Sequence, residues 1–506
     1  MRIAMLGDVG QPVYHVGDEA MAHACVDELG ARGHEDMLLL TRNVEETRRL
    51  FGKDAAPTLQ FPWPPEERAE YLDRVIRAAQ GDTEALPAED QVWAFIAALR
   101  TCDALLIAGG GNMNSLYGWL LYERAAVAGI ARALGLPVAI AGQTLGPVLY
   151  GRDREVAADL IARASLVGAR ESYSLALAGT LADAGQDKVA SCLDDASFYA
   201  GNAAAKVERV GVVDALTPAG PYIAATFSGG HGPANRETYI KAVAAALDQA
   251  ALVTGCSVVL LAHMSTPGLG DGDEAVHADI AAAMSTPVTA PPILSAEDTA
   301  ALTARASMVI TSRYHPVVFA LDAGLPVVAL ACEDYSHARL NGALQNWGLG
   351  PLTLTLPSLF DGTLGAAVEE AWKCRSDIAA HLEATRPVKA AEFARWWDRV
   401  SAALAGDVGA FSGIDPNLEP GDPAEELSFR GDWVGRDALN SAFFLPLSAE
   451  TSELRVEREH LAGRLGAATR EADVAREQLQ RWLDSRSFAL IRKLAPIRTL
   501  LGKLIK

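Results

Sequence analysis

The chain has 506 residues, of which 50% are hydrophobic and 7% aromatic, and this length suggests two to four domains with ample cores. The formal net charge of −20 argues against a general nucleic-acid-binding protein, which needs a basic face. The six cysteines are scattered without a CxxC pair, which favours reduced core cysteines in a cytosolic protein over disulfides or a zinc site.

Residues 1–205 alternate predicted strands with predicted helices. The chain starts directly in a strand, MRIAMLG, so we expect no signal peptide, and no apolar segment is long and charge-free enough to span a bilayer. Strands are expected at 2–6, 37–40, 104–108, 137–141, 166–169 and 188–193. Residues 53–90 are rich in proline and charge and predict a surface insertion or a lid outside the sheet.

Three consecutive glycines follow the strand at 104–108. They are Gly109, Gly110 and Gly111. A glycine loses more backbone entropy on folding than any other residue, but it lets the backbone pass close to a neighbouring group. That neighbour is either a ligand or another packed element, and we favour the ligand.

A second run of alternating elements starts at Tyr222. Strands are expected at 222–227, 257–262, 308–311 and 327–330. Between them, Asp271-Gly272-Asp273 resembles a DxD metal–nucleotide motif, but we interpret it as a solvated turn in a glycine-rich loop. Two runs separated near 205–220 predict two Rossmann-like, doubly wound α/β domains that face a cleft, as in the glycosyltransferase-B fold. The predicted domains are 1–205 and 218–357, closed by helices at 358–406.

The segment 307–332 contains a complete strand–helix–strand unit with polar residues at its first junction. Arg313 and His315 lie at the predicted helix start, where the helix dipole favours an anion. Arginine provides a planar fork for a carboxylate or phosphate, and histidine can exchange a proton near neutral pH. The alternative is that Arg313 pairs with a structural acid and His315 only caps the helix.

Several segments, in this order, resemble the polysaccharide pyruvyl transferase family. They are VGDEAM near 17, ALLIAGGGN at 104, GQTLGP at 142, VGARES at 168, LDDASF at 193 and VITSRYHPVVFALDAGLPVVAL at 309. This chain departs from the family pattern at two places. It has Val16 where the family often has asparagine, and it has Asn112 and Asn114 after the glycine triplet, where the family frequently has an acidic residue or glutamine.

The resemblance implies transfer of a pyruvyl group from phosphoenolpyruvate to sugar hydroxyls, forming a ketal. Arg313 and Arg170 would then bind the donor and His315 would protonate its methylene carbon. The glycine triplet, Gly109 to Gly111, with Asn112 would line the acceptor cleft, so the first domain would be the acceptor side and the second the donor side. No metal or cofactor is implied besides phosphoenolpyruvate as co-substrate. The alternatives are a nucleotide-sugar glycosyltransferase of the same fold and a catalytically inactive scaffold in glycan assembly.

The C-terminal hundred residues change character. Residues 407–446 predict a linker, and 447–485 a short coiled coil whose heptad seam could form a homodimer. The seam consists of Leu461, Leu465, Ala468, Ala472, Ala475, Leu479 and Trp482. Residues 486–506 carry six basic residues and no acid on an amphipathic pattern, which predicts binding to an anionic membrane or packing on the protein itself. We therefore expect a cytoplasmic protein that is peripheral at the inner face of the plasma membrane.

Overall fold

The computed structural model describes residues 1–62, 65–182, 188–207, 211–407, 424–485 and 489. Two parallel sheets, each with helices in its crossovers, form the body, so the prediction of two doubly wound sheets is confirmed. A short antiparallel pair, Tyr14–His15 with Met264–Ser265, joins the two halves.

Among the residues described in the first half are nine strands and eight α-helices. The strands are β1 Ile3–Leu6, β2 Tyr14–His15, β3 Met37–Thr41, β4 Asp54–Pro57, β5 Ala104–Ile107, β6 Gly110–Met113, β7 Val138–Leu145, β8 Leu166–Ala169 and β9 Val189–Ser191. The helices are α1 Val16–Ala31, α2 Val44–Phe51, α3 Pro65–Ala79, α4 Gln91–Leu99, α5 Gly118–Ala133, α6 Arg152–Arg163, α7 Ser172–Leu181 and α8 Tyr199–Val207.

The second half continues with the same alternation. Its strands are β10 Tyr222–Thr226, β11 Ser257–Leu260, β12 Met264–Ser265, β13 Val288–Thr289, β14 Met308–Thr311, β15 Val327–Ala331 and β16 Thr353–Thr355. Its helices are α9 Gly211–Leu216, α10 Arg236–Thr254, α11 Gly272–Ala283, α12 Ala296–Ala304, α13 Tyr314–Asp322, α14 Asp334–Asn346, α15 Pro357–Phe360, α16 Thr363–Lys373, α17 Arg375–Leu404 and α18 Asp432–Leu483. The first sheet has the strand order β4-β3-β1-β5-β7-β8-β9 with β6 beside β7, and the second has the order β13-β11-β10-β14-β15-β16.

The strands of the first sheet are apolar on both faces because both faces are covered. Ala4 and Leu6 pack in one hydrophobic core, and Ile3 and Met5 pack in another, since successive side chains point to opposite faces. Helix α17 returns to the first domain, where Trp396 and Trp397 are fully buried in the second of these cores. The predicted closing helices therefore tie the chain back to its first sheet.

Two predictions about the connecting segments differ from the structure. Residues 53–90 do not form an insertion that lies wholly outside the sheet, because β4 extends the sheet beside β3 and α3 packs on α5. The predicted linker is helical from Asp432, where α18 packs on the second domain through the buried Trp433 and Phe444. Asp437 makes this packing polar as well, since it accepts the Thr355 backbone N–H at 3.0 Å.

The remaining C-terminal predictions fall partly outside the described residues. Helix α18 covers the predicted coiled-coil segment as one helix of 52 residues, and a coiled coil as such stays a prediction. The predicted basic tail, 486–506, lies outside the described residues apart from position 489. Within the described part of the chain, no helix is both long and apolar enough to cross a membrane.

Candidate active site

The carboxyl ends of strands from both sheets meet at one cleft, which contains a cavity of about 380 Å³. Ligands of open α/β sheets bind at this edge. Five of the seven residues predicted for the site line the cavity: Gly111, Asn112, Arg170, Arg313 and His315. The other two, Gly109 and Gly110, are not among its lining residues.

Arg313 is the N-cap residue of α13 and makes a two-pronged contact with an acid. Its Nε donates to Asp273 at 3.2 Å and its Nη2 donates at 2.5 Å. Asp273 is fully buried at the start of α11, where it also accepts the backbone N–H groups of His263 and Met264. The interpretation of Asp271-Gly272-Asp273 as a solvated turn is therefore wrong for Asp273. Arg313 keeps a quarter of its side chain exposed (25%) and contributes to the cavity wall.

His315 lies in the first turn of α13 with its imidazole at the cavity. Its Nε2 is 3.8 Å from Oδ1 of Asp194 and has no hydrogen-bond partner among the described residues. Burial lowers the pKa of His315 to about 4, although the Asp194 carboxylate opposes this shift. The ring is therefore neutral at pH 7, and a bound anion would raise its pKa by favouring the imidazolium.

Arg170 follows β8 and is held by partners from both domains. Its Nη1 donates to Asp194 at 2.5 Å and its Nε donates to Thr144 at 2.9 Å. The guanidinium stacks on the ring of Tyr314 at 4.2 Å from the ring centroid. Asp194 therefore holds Arg170 by a hydrogen bond and lies near His315, a position that the sequence did not reveal.

Arg339 is a cavity residue that the sequence analysis missed. It lies on α14, and its guanidinium is 4.0 Å from the ring centroid of Tyr335. Its buried Nε donates no hydrogen bond to any described residue. No carboxylate within the described ranges forms an ion pair with Arg339, whereas Arg170 and Arg313 are both paired. Strand β15 lies beside β14 in the sheet, so the helix that follows β15 begins near the helix that carries His315. Basic residues in the first turns of that helix were therefore candidates for the cavity. Arg339 is thus the cavity arginine whose charge is least neutralised.

The glycines of the triplet have different surroundings. A Cβ at Gly111 would lie 2.5 Å from Oη of Tyr335 and 3.4 Å from Nη2 of Arg170. The same Tyr335 hydroxyl donates to the Gly111 carbonyl at 2.5 Å and so joins the two domains. Gly109 instead makes room for a buried carboxylate, since its N–H donates to Asp195 at 2.7 Å. Close packing therefore accounts for Gly109, and ligand contact remains a prediction for the other two.

Comparisons with known proteins show the family through a family model and the fold through solved structures. The family model for polysaccharide pyruvyl transferase matches residues 15–335. No curated protein gives a significant match. Among solved structures, a putative UDP-N-acetylglucosamine 2-epimerase from Listeria monocytogenes aligns with a TM-score of 0.54 at 13% identity, covering 83% of this chain and 98% of that one. UDP-GlcNAc 2-epimerase from Neisseria meningitidis, bound to UDP-GlcNAc, aligns with a TM-score of 0.53 at 11% identity, covering 80% and 100%. These two similarities concern the fold alone.

Proposed function

This chain belongs to the polysaccharide pyruvyl transferase family, and we propose that it transfers a pyruvyl group from phosphoenolpyruvate to the hydroxyls of a polysaccharide or lipid-linked glycan precursor. The observation that carries the proposal is the cavity between the sheets, which combines three arginines with a buried histidine. Phosphoenolpyruvate has a phosphate and a carboxylate, so it requires more than one cationic group.

The donor would be held mainly by the arginine whose charge is least neutralised, since Glu333 and Glu171 act on it without forming an ion pair within the described residues. Arg339 is free of ion pairs within the described residues, so it is our first candidate for the phosphate or the carboxylate. Arg313 would offer its exposed edge while Asp273 holds it in orientation. Arg170 is more completely engaged, and its contribution would be through the electric field at the cavity.

His315 would supply the proton for the first step. Protonation of the methylene carbon of phosphoenolpyruvate gives a methyl group and leaves C2 electron-poor, so that a sugar hydroxyl attacks C2. A second hydroxyl then forms the other C–O bond as the C2–phosphate bond breaks. Two C–O bonds form and one breaks, one hydroxyl proton ends on the methyl carbon, and the other leaves with inorganic phosphate.

A nucleotide-sugar enzyme is the second candidate. The observation that favours it is the shared fold with the Neisseria enzyme, whose structure contains UDP-GlcNAc. Fold similarity is weak evidence for a substrate, because the same architecture supports many reactions.

Calorimetry and NMR separate the two candidates. The proposal expects saturable binding of phosphoenolpyruvate, and deuterium from D₂O in the product methyl group when acceptor is present. His315→Gln should retain donor binding and lose roughly 10²- to 10⁴-fold in rate. Binding of UDP-GlcNAc without binding of phosphoenolpyruvate would overturn the proposal in favour of the second candidate.

We further propose that the enzyme works in the cytoplasm, held at the inner face of the plasma membrane by residues 486–506. The support is compositional, since this segment is basic in an otherwise acidic chain. Its role would be to bring the cavity to a glycan that is linked to lipid.

A further inference from the structure

A second cavity, of about 360 Å³, adjoins the one that we assign to the donor. The two cavities share Asp8, Gln11, Val13 and His15 in their walls. The second extends over the first domain to Arg42 before α2. A ligand in it would therefore reach the donor cavity directly.

The wall between the cavities contains buried polar atoms that have no hydrogen-bond partner among the described residues. Asp8 is only 4% exposed; its Oδ2 accepts from Arg124 at 2.7 Å and from Asn112. Within the part of the chain that the structure describes, its Oδ1 accepts no hydrogen bond, and Nη1 of Arg42, which forms an ion pair with it at 3.6 Å, donates none. Buried polar atoms are normally paired, so an unpaired acceptor beside an unpaired donor is a place for a group that can both donate and accept. A hydroxyl is such a group.

A histidine and a carboxylate lie next to this pair. Nδ1 of His15 is 3.3 Å from Oδ2 of Asp18, and both side chains line the donor cavity. Burial and the charge of Asp8 raise the pKa of Asp18 to about 6, while His15, Arg124 and Arg170 act in the opposite direction. Asp18 follows Gly17, which lies against the imidazole of His315. The acid–base pair and the candidate proton donor are therefore neighbours.

We propose that the second cavity binds the acceptor sugar, with Asp8 and Arg42 holding one ring hydroxyl and the His15–Asp18 pair accepting the proton of the hydroxyl that attacks. As the new bond from the sugar oxygen to C2 forms, its O–H bond breaks and the proton passes to the pair. The assignment rests on the proposed function and goes beyond it by giving the acceptor a site and a base.

The test measures acceptor and donor separately, with p-nitrophenyl hexosides as acceptor probes and phosphoenolpyruvate as donor. Arg42→Gln should raise the KM for the hexoside at least tenfold and leave the Kd for phosphoenolpyruvate within twofold. Asp18→Asn should lower kcat by roughly 10²- to 10⁴-fold and remove the acidic limb of the pH profile near pH 6. Asp54→Asn, an exposed carboxylate paired with Arg2 on an edge strand, is the matched control.

Two results distinguish this assignment from the proposed function. Unchanged hexoside KM in Arg42→Gln together with unchanged kcat in Asp18→Asn would overturn the acceptor site while leaving the donor chemistry intact. Failure of the wild-type protein to bind phosphoenolpyruvate would instead overturn the proposed function. Asp8→Asn is a second variant at the wall, and it should weaken saturation-transfer NMR signals of the hexoside.

A different observation concerns α18, whose outer face carries an exposed apolar stripe. Its large side chains are Leu439, Phe443, Leu447, Leu454, Leu461, Leu465, Leu479 and Trp482, each between 52% and 75% exposed. The opposite face packs on the protein through Trp433, Phe444 and Val456. Exposed apolar patches of this extent mark interaction surfaces.

The charges beside the stripe favour a parallel pairing of two identical helices over an antiparallel one. With Leu447, Leu454 and Leu461 at d positions, Glu450 and Glu471 fall at g positions, and Arg455 and Arg476 fall five residues later at e positions. In a parallel, in-register pair, each of these glutamates faces the partner's Arg455 or the partner's Arg476. In an antiparallel pair, e positions would face e positions and place like charges together.

We infer that α18 forms a parallel, in-register coiled coil with α18 of a second copy of this chain. Light scattering at micromolar concentration should give a dimer. The double variant Glu450→Arg with Glu471→Arg should be monomeric, and adding Arg455→Glu and Arg476→Glu should restore the dimer. Ala468→Cys in a Cys374→Ser background should cross-link identical positions on oxidation. A monomeric wild-type protein, or a dimer unaffected by the charge reversal, would overturn the inference.

Discussion

Gly17 of α1 lies against His315 of α13, so closely that a Cβ at position 17 would overlap the imidazole ring. The contact joins the two domains, since α1 belongs to the first and α13 to the second. The glycine in the segment VGDEAM is therefore required by a side chain that lies almost 300 residues away in the sequence. Its function is to leave space for the candidate proton donor.

Gly17→Ala should lower kcat by displacing the ring while leaving the fold nearly intact. An added methyl group would lie 1.8 Å from Nδ1 and 2.3 Å from Cγ of His315, so the imidazole must leave its place, and we expect a loss of activity that is large compared with the loss of stability. The measurements are kcat and the melting temperature. Gly30→Ala in the same helix is the control, because its Cβ would meet only the end of Glu35, at 3.4 Å. Equal activity of the two variants would contradict the proposed role of Gly17.

Arg339→Ala should weaken phosphoenolpyruvate binding about 10- to 100-fold, because a charge-assisted hydrogen bond contributes roughly 1.5–3 kcal/mol. Calorimetric Kd values provide the measurement. The matched control is Arg375→Ala, which also removes an arginine stacked on an aromatic ring, Trp372, at 4.5 Å. A Kd equal to that of the control would show that Arg339 does not contact the donor.

Arg313→Ala has a second effect that Arg339→Ala lacks. It leaves the carboxylate of Asp273 buried and without its guanidinium, so the free energy of unfolding should fall by about 3–5 kcal/mol. Loss of donor binding in this variant therefore does not by itself assign Arg313 to the donor. Denaturant unfolding of Arg313→Ala and Arg339→Ala checks the difference, and equal stabilities would refute it.

Donor binding should be accompanied by proton uptake at His315. At pH 7 the free protein holds this imidazole neutral, because burial lowers its pKa to about 4. A bound phosphate or carboxylate favours the cation and raises the pKa, so the complex takes up a proton from the buffer, on the order of one per site. The binding enthalpy at pH 7 should therefore vary with the ionisation enthalpy of the buffer. His315→Gln should lose this dependence, and its persistence there would assign the proton to another group.

Adjacent glycines of the triplet should differ in their tolerance of alanine. A Cβ at Gly109 would lie 2.7 Å from the Asp195 carboxylate and 2.8 Å from the Gly142 carbonyl, so Gly109→Ala should cost about 1–3 kcal/mol of stability. At Gly110 the nearest atom would be 3.6 Å away, and Gly110→Ala should unfold close to the wild type. Urea unfolding measures the free energy of unfolding of both variants. A Gly110→Ala variant less stable than Gly109→Ala would contradict the packing argument.

The sequence predicted the two sheets and the position of the central helix start because buried parallel strands and the turns after them are local patterns. It placed Arg313 and His315 in one cavity for the same reason. It misjudged Asp273, whose burial depends on an arginine 40 residues further along the chain. It missed Arg339 because the path of α14, and not any motif, brings that residue to the cavity.

Truncation after Asp484 should release the protein from anionic liposomes and preserve turnover of a water-soluble acceptor analogue. The removed segment includes three arginines and three lysines and no acid, and each basic residue at an anionic surface contributes about 1 kcal/mol before salt screening. A parallel pair of α18 helices would present both tails at the same end, so dimerisation should strengthen the binding. Liposome sedimentation at low and high salt measures the membrane binding. The monomeric double variant Glu450→Arg and Glu471→Arg should bind more weakly than the full-length dimer and more strongly than the truncated protein. Full-length protein that does not sediment with anionic liposomes at low salt would overturn the membrane role, and residues 486–506 would then be better explained as a helix that packs on the protein.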